Sequence, residues 1–135
     1  EKIIRDINQK HWVIVYEGQN IGVINLADID YEFKHCSWGY FLGNTTKRGI
    51  GFFIPPYLYN YVFKKMKFKK IIAEVLEGNS NIMRMHELHG YRFVEKCIKH
   101  IKKNNRYYDK YVYELHSKNW LSMSRYKKFI TPFEE

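Results

Sequence analysis

A strand-like segment, Trp38-Gly39-Tyr40-Phe41-Leu42, runs through a basic turn, Thr45-Thr46-Lys47-Arg48-Gly49-Ile50-Gly51, into a long apolar stretch of helical character. A strand followed by a helix across so short a turn calls for a sheet with helical crossovers. The turn also carries chemistry. Glycine lets the main chain approach an anion, and a helix start aims N–H groups and a partial positive charge at it. Many loops contain two glycines, so the turn gains its meaning from a second segment, Asn79-Ser80-Asn81-Ile82-Met83-Arg84-Met85-His86-Glu87-Leu88-His89-Gly90-Tyr91-Arg92-Phe93. There Asn79 or Ser80 caps a helix, and Gly90 suits the left-handed position that ends one.

The remaining segments give the order β-β-β-α-β-α-β-β after an initial helical piece. Glu1 to Gln9 reads as the last turns of a helix, with Ile3, Ile4 and Ile7 on one face. Trp12–Tyr16 and Ile21–Ile29 read as an antiparallel hairpin about the turn Glu17-Gly18-Gln19-Asn20. Ser37–Leu42 is a third strand, and Lys70–Leu76 a fourth. Phe93–Ile101 and Tyr107–Leu115 form a last pair joined at Lys103-Asn104-Asn105. Ser117 to Phe129 is weakly helical, with apolar spacing suited to packing on the sheet or on a second subunit, as in a homodimer. Pro55 and Pro56 conflict with an unbroken helix, because each removes an N–H donor and clashes with the turn before it. A kinked first turn with the main helix starting at Pro56 is expected, leaving the amides of Gly49 to Phe53 for phosphate. The fold class is therefore α/β (α+β), a mixed sheet with flanking helices.

Composition narrows the function. With 135 residues, 45% of them hydrophobic and 18% aromatic, the chain is one ordered domain. No apolar run reaches the ~18 residues of a membrane span. Two cysteines, Cys36 and Cys97, make neither a disulfide framework nor a metal site, and read as reduced thiols of a cytoplasmic protein. The histidines show no metal-ligand spacing, so no metal is expected. The net charge of +9 suits polyanionic partners. The lysines are scattered without a basic block, which points to phosphate-bearing small molecules over nucleic acid.

Together the two glycine-bearing segments resemble those of the GNAT family, the acetyl-CoA-dependent N-acetyltransferases. The turn is similar to that family's pyrophosphate loop, Gln/Arg-x-x-Gly-x-Gly/Ala. Gly49 and Gly51 fill the two small positions, and Thr46 stands where Gln or Arg is usual. The second segment is similar to the family's Asn-x-x-Ala-x-x-Leu-Tyr…Gly-Phe helix. Asn79, Met85, Gly90 and Tyr91 match in kind, Ile82 replaces the small residue, and His86 replaces the tyrosine. The resemblance spans about Ile21 to Leu115. It implies a mostly antiparallel sheet whose central strands splay apart. It also implies a core over residues 1–115, with 116–135 as a helical tail. The family normally begins with one more strand and one or two helices, which help cover the acceptor site.

The resemblance implies acetyl-CoA as donor, its arm docked on Tyr40, Phe41 and Leu42 and near Asn79, its phosphates on Lys47, Arg48, Gly49, Ile50 and Gly51. Glu74 is the expected base. It interrupts an apolar run, and partial burial would raise its pKa toward a working value. Glu77 is held in reserve, on the opposite face by strand alternation. His86 stands where the family places the acid that protonates the departing thiolate, and an ordinary imidazole can donate near neutrality. Arg84-Met85-His86-Glu87 with Gly90-Tyr91, Tyr40 to Gly43, and Asn105-Arg106-Tyr107-Tyr108-Asp109 are similar to a narrower group of bacterial enzymes. Those acetylate UDP-linked 4-amino-4,6-dideoxy sugars for the pseudaminic acid of flagellin. A UDP-amino-sugar acceptor is thus implied. The ribosomal-protein N-terminal acetyltransferases share the last feature and remain an alternative, as does a coenzyme A-binding module without turnover.

Overall fold

The computed structural model describes residues 7–43 and 49–134. Six strands, β1 (Lys10–Tyr16), β2 (Gln19–Asp30), β3 (His35–Leu42), β4 (Lys70–Leu76), β5 (Arg92–Lys103) and β6 (Arg106–His116), form one sheet in the order β1-β2-β3-β4-β6-β5. Every neighbouring pair is antiparallel except β3–β4. This is the expected mixed, mostly antiparallel sheet. The outer strands are longer than their sequence patterns suggest, because the turns between them are as tight as turns can be. Glu17-Gly18 and Asn104-Asn105 each hold two successive residues at positive φ, 50° and 77° in the first and 52° and 61° in the second. Such two-residue turns match the twist of a hairpin and let pairing run to its tip.

Between β3 and β4 the chain forms a short 3₁₀ turn at Ile50–Phe52, then α1 (Ile54–Asn60), then a π-helical turn at Tyr61–Lys65. The break expected at the prolines falls at Phe53. Pro55 and Pro56 occupy the first helical positions, where a missing N–H costs nothing. The helix accordingly starts two residues before Pro56. At the other end of the chain's reading, Ile7-Asn8 forms a turn, so the initial helix does not reach Gln9; residues 1–6 lie outside the described residues.

Helix α2 (Ser80–Leu88) links β4 to β5. Its close is a Schellman motif: Gly90 sits at φ 94°, its N–H donates to the Glu87 carbonyl, and the Tyr91 N–H donates to the His86 carbonyl. Gly90 thus takes the expected left-handed position and folds Tyr91 back against His86. At the start of α2, Asn79 supplies no side-chain cap; its carbonyl accepts from Ile82 and Met83 instead.

The core lies between one sheet face and the helices. Ile24, Leu26, Cys36, Ile71, Ala73, Val75, Tyr113 and Leu115 cluster with Leu58 and Tyr59 of α1 and Val62 of the π-helical turn. Met83, Met85 and Leu88 carry the apolar spacing of α2, yet the helix buries Met85 with His86 and His89 and leaves Leu88 half exposed. His86 and His89 fit edge-on or tilted among aromatic rings, His86 against Trp38, Tyr91 and Tyr113 and His89 against Phe52, Tyr59, Trp120 and Tyr126. The tail, α3 (Ser117–Ser122) and a 3₁₀ turn at Ser124–Tyr126, lies on the same layer. Its Trp120 is buried, stacked on Tyr126 at 4.8 Å and edge-on to Tyr59 at 5.1 Å. Buried Asn60 anchors it, accepting from Trp120 Nε1 and donating to the Tyr126 and Phe129 carbonyls. The tail's apolar side chains thus pack on α1, where the sequence spacing suited the sheet or a second subunit.

Candidate active site

The sheet opens at its one parallel junction. β3 and β4 pair over His35–Ser37 and Lys70–Ile72 and then separate, although both strands continue to Leu42 and Leu76. Beyond that point β3 still pairs with β2, as far as Leu42 opposite Gly22, and β4 still pairs with β6, as far as Leu76 opposite Lys110. The gap is therefore held open by complete ladders on both outer sides. Its inner edges offer main-chain donors and acceptors to an extended, amide-bearing ligand, the geometry of an added strand.

At the far end of β3 stands the glycine turn. Lys47 and Arg48 lie outside the described residues. Gly49 takes φ 89°, a conformation that favours glycine. A Cβ on Gly51 would stand 3.2 Å from Leu42 Cδ1 and 3.4 Å from Tyr40 Oη, so a side chain there would press on the strand end. Tyr40 Oη donates to the Gly51 carbonyl at 2.9 Å, tying strand to turn. The Phe52 and Phe53 amides are consumed by the Gly49 and Ile50 carbonyls. Of the amides expected to face phosphate, that leaves at most those of Gly49, Ile50 and Gly51.

On the helix side, the gap is floored by aromatic rings. Trp38 donates from Nε1 to Tyr91 Oη at 2.9 Å and stacks on Tyr40. His86 is 3% exposed and lies against Tyr91 at 4.6 Å, Tyr113 at 5.8 Å and Trp38 at 6.1 Å. Its Nδ1 is buried without a hydrogen-bond partner. Burial, and then the charge of His89, push its pKa down to about 4. The ring is consequently neutral at pH 7, which removes the ordinary imidazolium donor expected from sequence. What it can offer there is an N–H hydrogen bond. His89 lies deeper, fully buried among Phe52, Tyr59, Trp120 and Tyr126 with neither ring nitrogen paired. Burial pushes it to about 4 as well, with the neighbouring Phe52 main chain opposing the shift.

On the opposite sheet face, Glu74 projects between buried Ala73 and Val75. It is not partly buried as the apolar run suggested: its side chain is 53% exposed and sits 3.5 Å from Lys110 Nζ. Glu77 turns away from the gap. Its Oε1 accepts from the Asp109 N–H at 2.6 Å, and the Asp109 carboxylate in turn accepts from the Lys99 N–H within an irregularity of β5. One row nearer the β3–β4 junction, Glu114 faces Lys70 at 2.8 Å, His116 at 3.2 Å and Arg92 at 3.6 Å. Lys70's hydrogen bond, reinforced by its charge and by His116, holds Glu114 below the usual carboxylate range against the opposing pull of burial.

Glu74 and His86 thus stand on opposite faces of the sheet, with the gap between β3 and β4 connecting them. Tyr40, Phe41 and Leu42 form one edge of that gap, and Asn79 is exposed at the start of α2, after β4. Sequence reasoning missed Trp38, Tyr91 and Lys110. Tyr91 carries a signal in its position after Gly90, but its pairing with Trp38 spans 53 residues and Lys110 reaches Glu74 only through the β4–β6 register. A cavity of about 480 Å³ between α1 and the tail, lined by Tyr57, Lys64, Lys65 and Phe133, lies away from these residues. The gap is the better candidate because it joins a carboxylate to unpaired strand edges. No group of three or more metal-ligating side chains occurs among the described residues.

A family model described as an acetyltransferase (GNAT) domain matches residues 1–112. No curated protein matches the chain. Among solved structures, a mutant of spermidine N-acetyltransferase SpeG from Vibrio cholerae is 19% identical, with a TM-score of 0.81 over 86% of this chain and 70% of that one. The same enzyme in complex with CoA and spermine is 17% identical, with a TM-score of 0.80 over 85% and 69%. A probable acetyltransferase is 21% identical, with a TM-score of 0.75 over 84% and 65%. At these identities the likeness is one of fold.

Proposed function

The chain belongs to the GNAT family of acetyl-CoA-dependent N-acetyltransferases, and from that premise we propose that its acceptor is the 4-amino group of a UDP-4-amino-4,6-dideoxy sugar, as in pseudaminic acid biosynthesis. The observation that carries this reading is the charge on the open face. Glu74 of β4 and Glu114 of β6, the carboxylates that border the gap, are already paired with cations, and Glu95 lies farther out on β5. A polyamine would need unclaimed carboxylates beside the gap. A nucleotide sugar brings its own negative charge, and the net charge of +9 favours its approach. The Arg84-Met85-His86-Glu87 and Gly90-Tyr91 pattern supports the same group.

The reaction then follows from the two faces. The turn at Gly49–Gly51 receives the donor's phosphates, together with Lys47 and Arg48, which precede it in sequence. The separated edges of β3 and β4 hold the donor's amide-bearing arm at Tyr40, Phe41, Leu42 and Asn79. Glu74, directly or through water, takes a proton from the acceptor's ammonium, and the freed amine attacks the thioester carbonyl carbon. A β3 main-chain N–H stabilises the charge that develops on that carbonyl oxygen. The C–S bond breaks as the C–N bond is completed, and the second proton lost by the nitrogen balances the charge on sulfur. His86, neutral in its aromatic nest, orients the departing sulfur with a hydrogen bond.

The test measures thiol release from acetyl-CoA with four additions: the UDP-4-amino sugar, an N-terminal peptide, spermidine, and no acceptor. Release dependent on the sugar is expected. Release with peptide or spermidine alone overturns the acceptor, and silence in every arm favours a binding module without turnover.

A further inference from the structure

We propose that Lys110 is a positioning residue for Glu74, holding its carboxylate set against β6 until an acceptor arrives. This rests on the reading of Glu74 as the base. Glu74 pairs in register with Val112, and Leu76 with Lys110, so Glu74 and Lys110 are diagonal neighbours on one sheet face. Such neighbours are within reach of long side chains. The Lys110 side chain is only 16% exposed, against 53% for Glu74, and its ammonium stands 3.5 Å from Glu74 Oε2. The lysine therefore lies along the sheet with its stem covered, while the carboxylate stays open to an incoming ligand.

The other groups on this face do not substitute for it. Glu114 is served by Lys70, Arg92 and His116, one row away. Glu95 lies across Val112 from Glu74, and the thiol of Cys97, opposite Lys110, stands 3.8 Å from Glu95. Glu95 is a like charge to Glu74, so it cannot fix the base. At this height β3 no longer pairs with β4, their register having ended at Ser37–Ile72. Among the described residues, Glu74 is the one carboxylate in ion-pair contact with Lys110. A base on an open strand needs such a restraint. Without it, the carboxylate samples rotamers away from the gap.

The measurement is the rotamer averaging of Glu74 in the intact chain, read from three-bond NMR couplings about χ1 and χ2, its signals assigned by loss in Glu74→Gln. In Lys110→Met those couplings are expected to average toward freely rotating values, and in Lys110→Arg to return to the parent values. Thiol release, with whichever acceptor turns over, is followed in parallel. Glu74→Gln should lose about 100-fold or more. Lys110→Met should lose about three- to tenfold in kcat with the KM for acetyl-CoA unchanged, and Lys110→Arg should recover it. Unchanged couplings in Lys110→Met overturn the positioning role, whatever the acceptor. Averaged couplings with full turnover in Glu74→Gln overturn Glu74 as base, and the role of Lys110 in catalysis with it.

Discussion

Replacing His89 by leucine isolates the cost of keeping an imidazole neutral inside an aromatic box. The residue is fully buried, both ring nitrogens lack partners, and burial holds its pKa at about 4 against an ordinary 6.5. Because the folded-state pKa is depressed, the unfolded chain takes up the proton first as pH falls. The stability tied to the neutral ring is complete above the ordinary value and is lost progressively as pH drops from there toward the folded one. Linkage between those two values gives about 2 kcal/mol lost between pH 7 and pH 5, and little change above pH 7. Urea unfolding at the two pH values measures it. The parent protein should lose about 2 kcal/mol more on acidification than His89→Leu does. The variant retains a slope from His86, which burial also depresses. Parallel losses in parent and variant would show that His89 is protonated or hydrated in the fold, and the buried aromatic box would be wrong.

Two further outcomes follow from single side chains. Asn60→Ala removes three hydrogen bonds and strands the Trp120 N–H and two tail carbonyls, so stability should fall by about 3 kcal/mol, with the tail becoming protease-sensitive first. Limited proteolysis that still cuts elsewhere first would remove Asn60 as the anchor. Gly51→Ala places a methyl against Leu42 and Tyr40, and should raise the KM for acetyl-CoA about tenfold with little change in melting temperature. An unaltered KM would take that turn out of donor binding.

The legible part of the fold was local. Strand alternation, the proline break before α1 and the glycine at the close of α2 each depend on neighbours a few residues away. The illegible part depended on pairing at a distance. Glu74 read as partly buried because Ile71, Ile72, Ala73 and Val75 surround it in sequence, but strand alternation sends it to the opposite face from Ala73 and Val75. Glu77 read as a reserve base, yet the main chain of Asp109, 32 residues on, claims its carboxylate. Hydropathy gives no reason to bury His86 and His89, because it does not score edge-on contacts between rings brought together by the fold. His86 was legible as a position and not as a chemistry, since its neutral state comes from burial that no neighbour in sequence announces.

The central claim is that the opening between β3 and β4 receives the donor. A crystal structure of the acetyl-CoA complex tests it most directly. The thioester should lie between the strands beyond Ser37 and Ile72, with main-chain bonds to β3 near Tyr40 and Glu74 within one water of the acetyl carbon. Donor density elsewhere, or strands joined by a continuous ladder from His35 to Leu42, would contradict it.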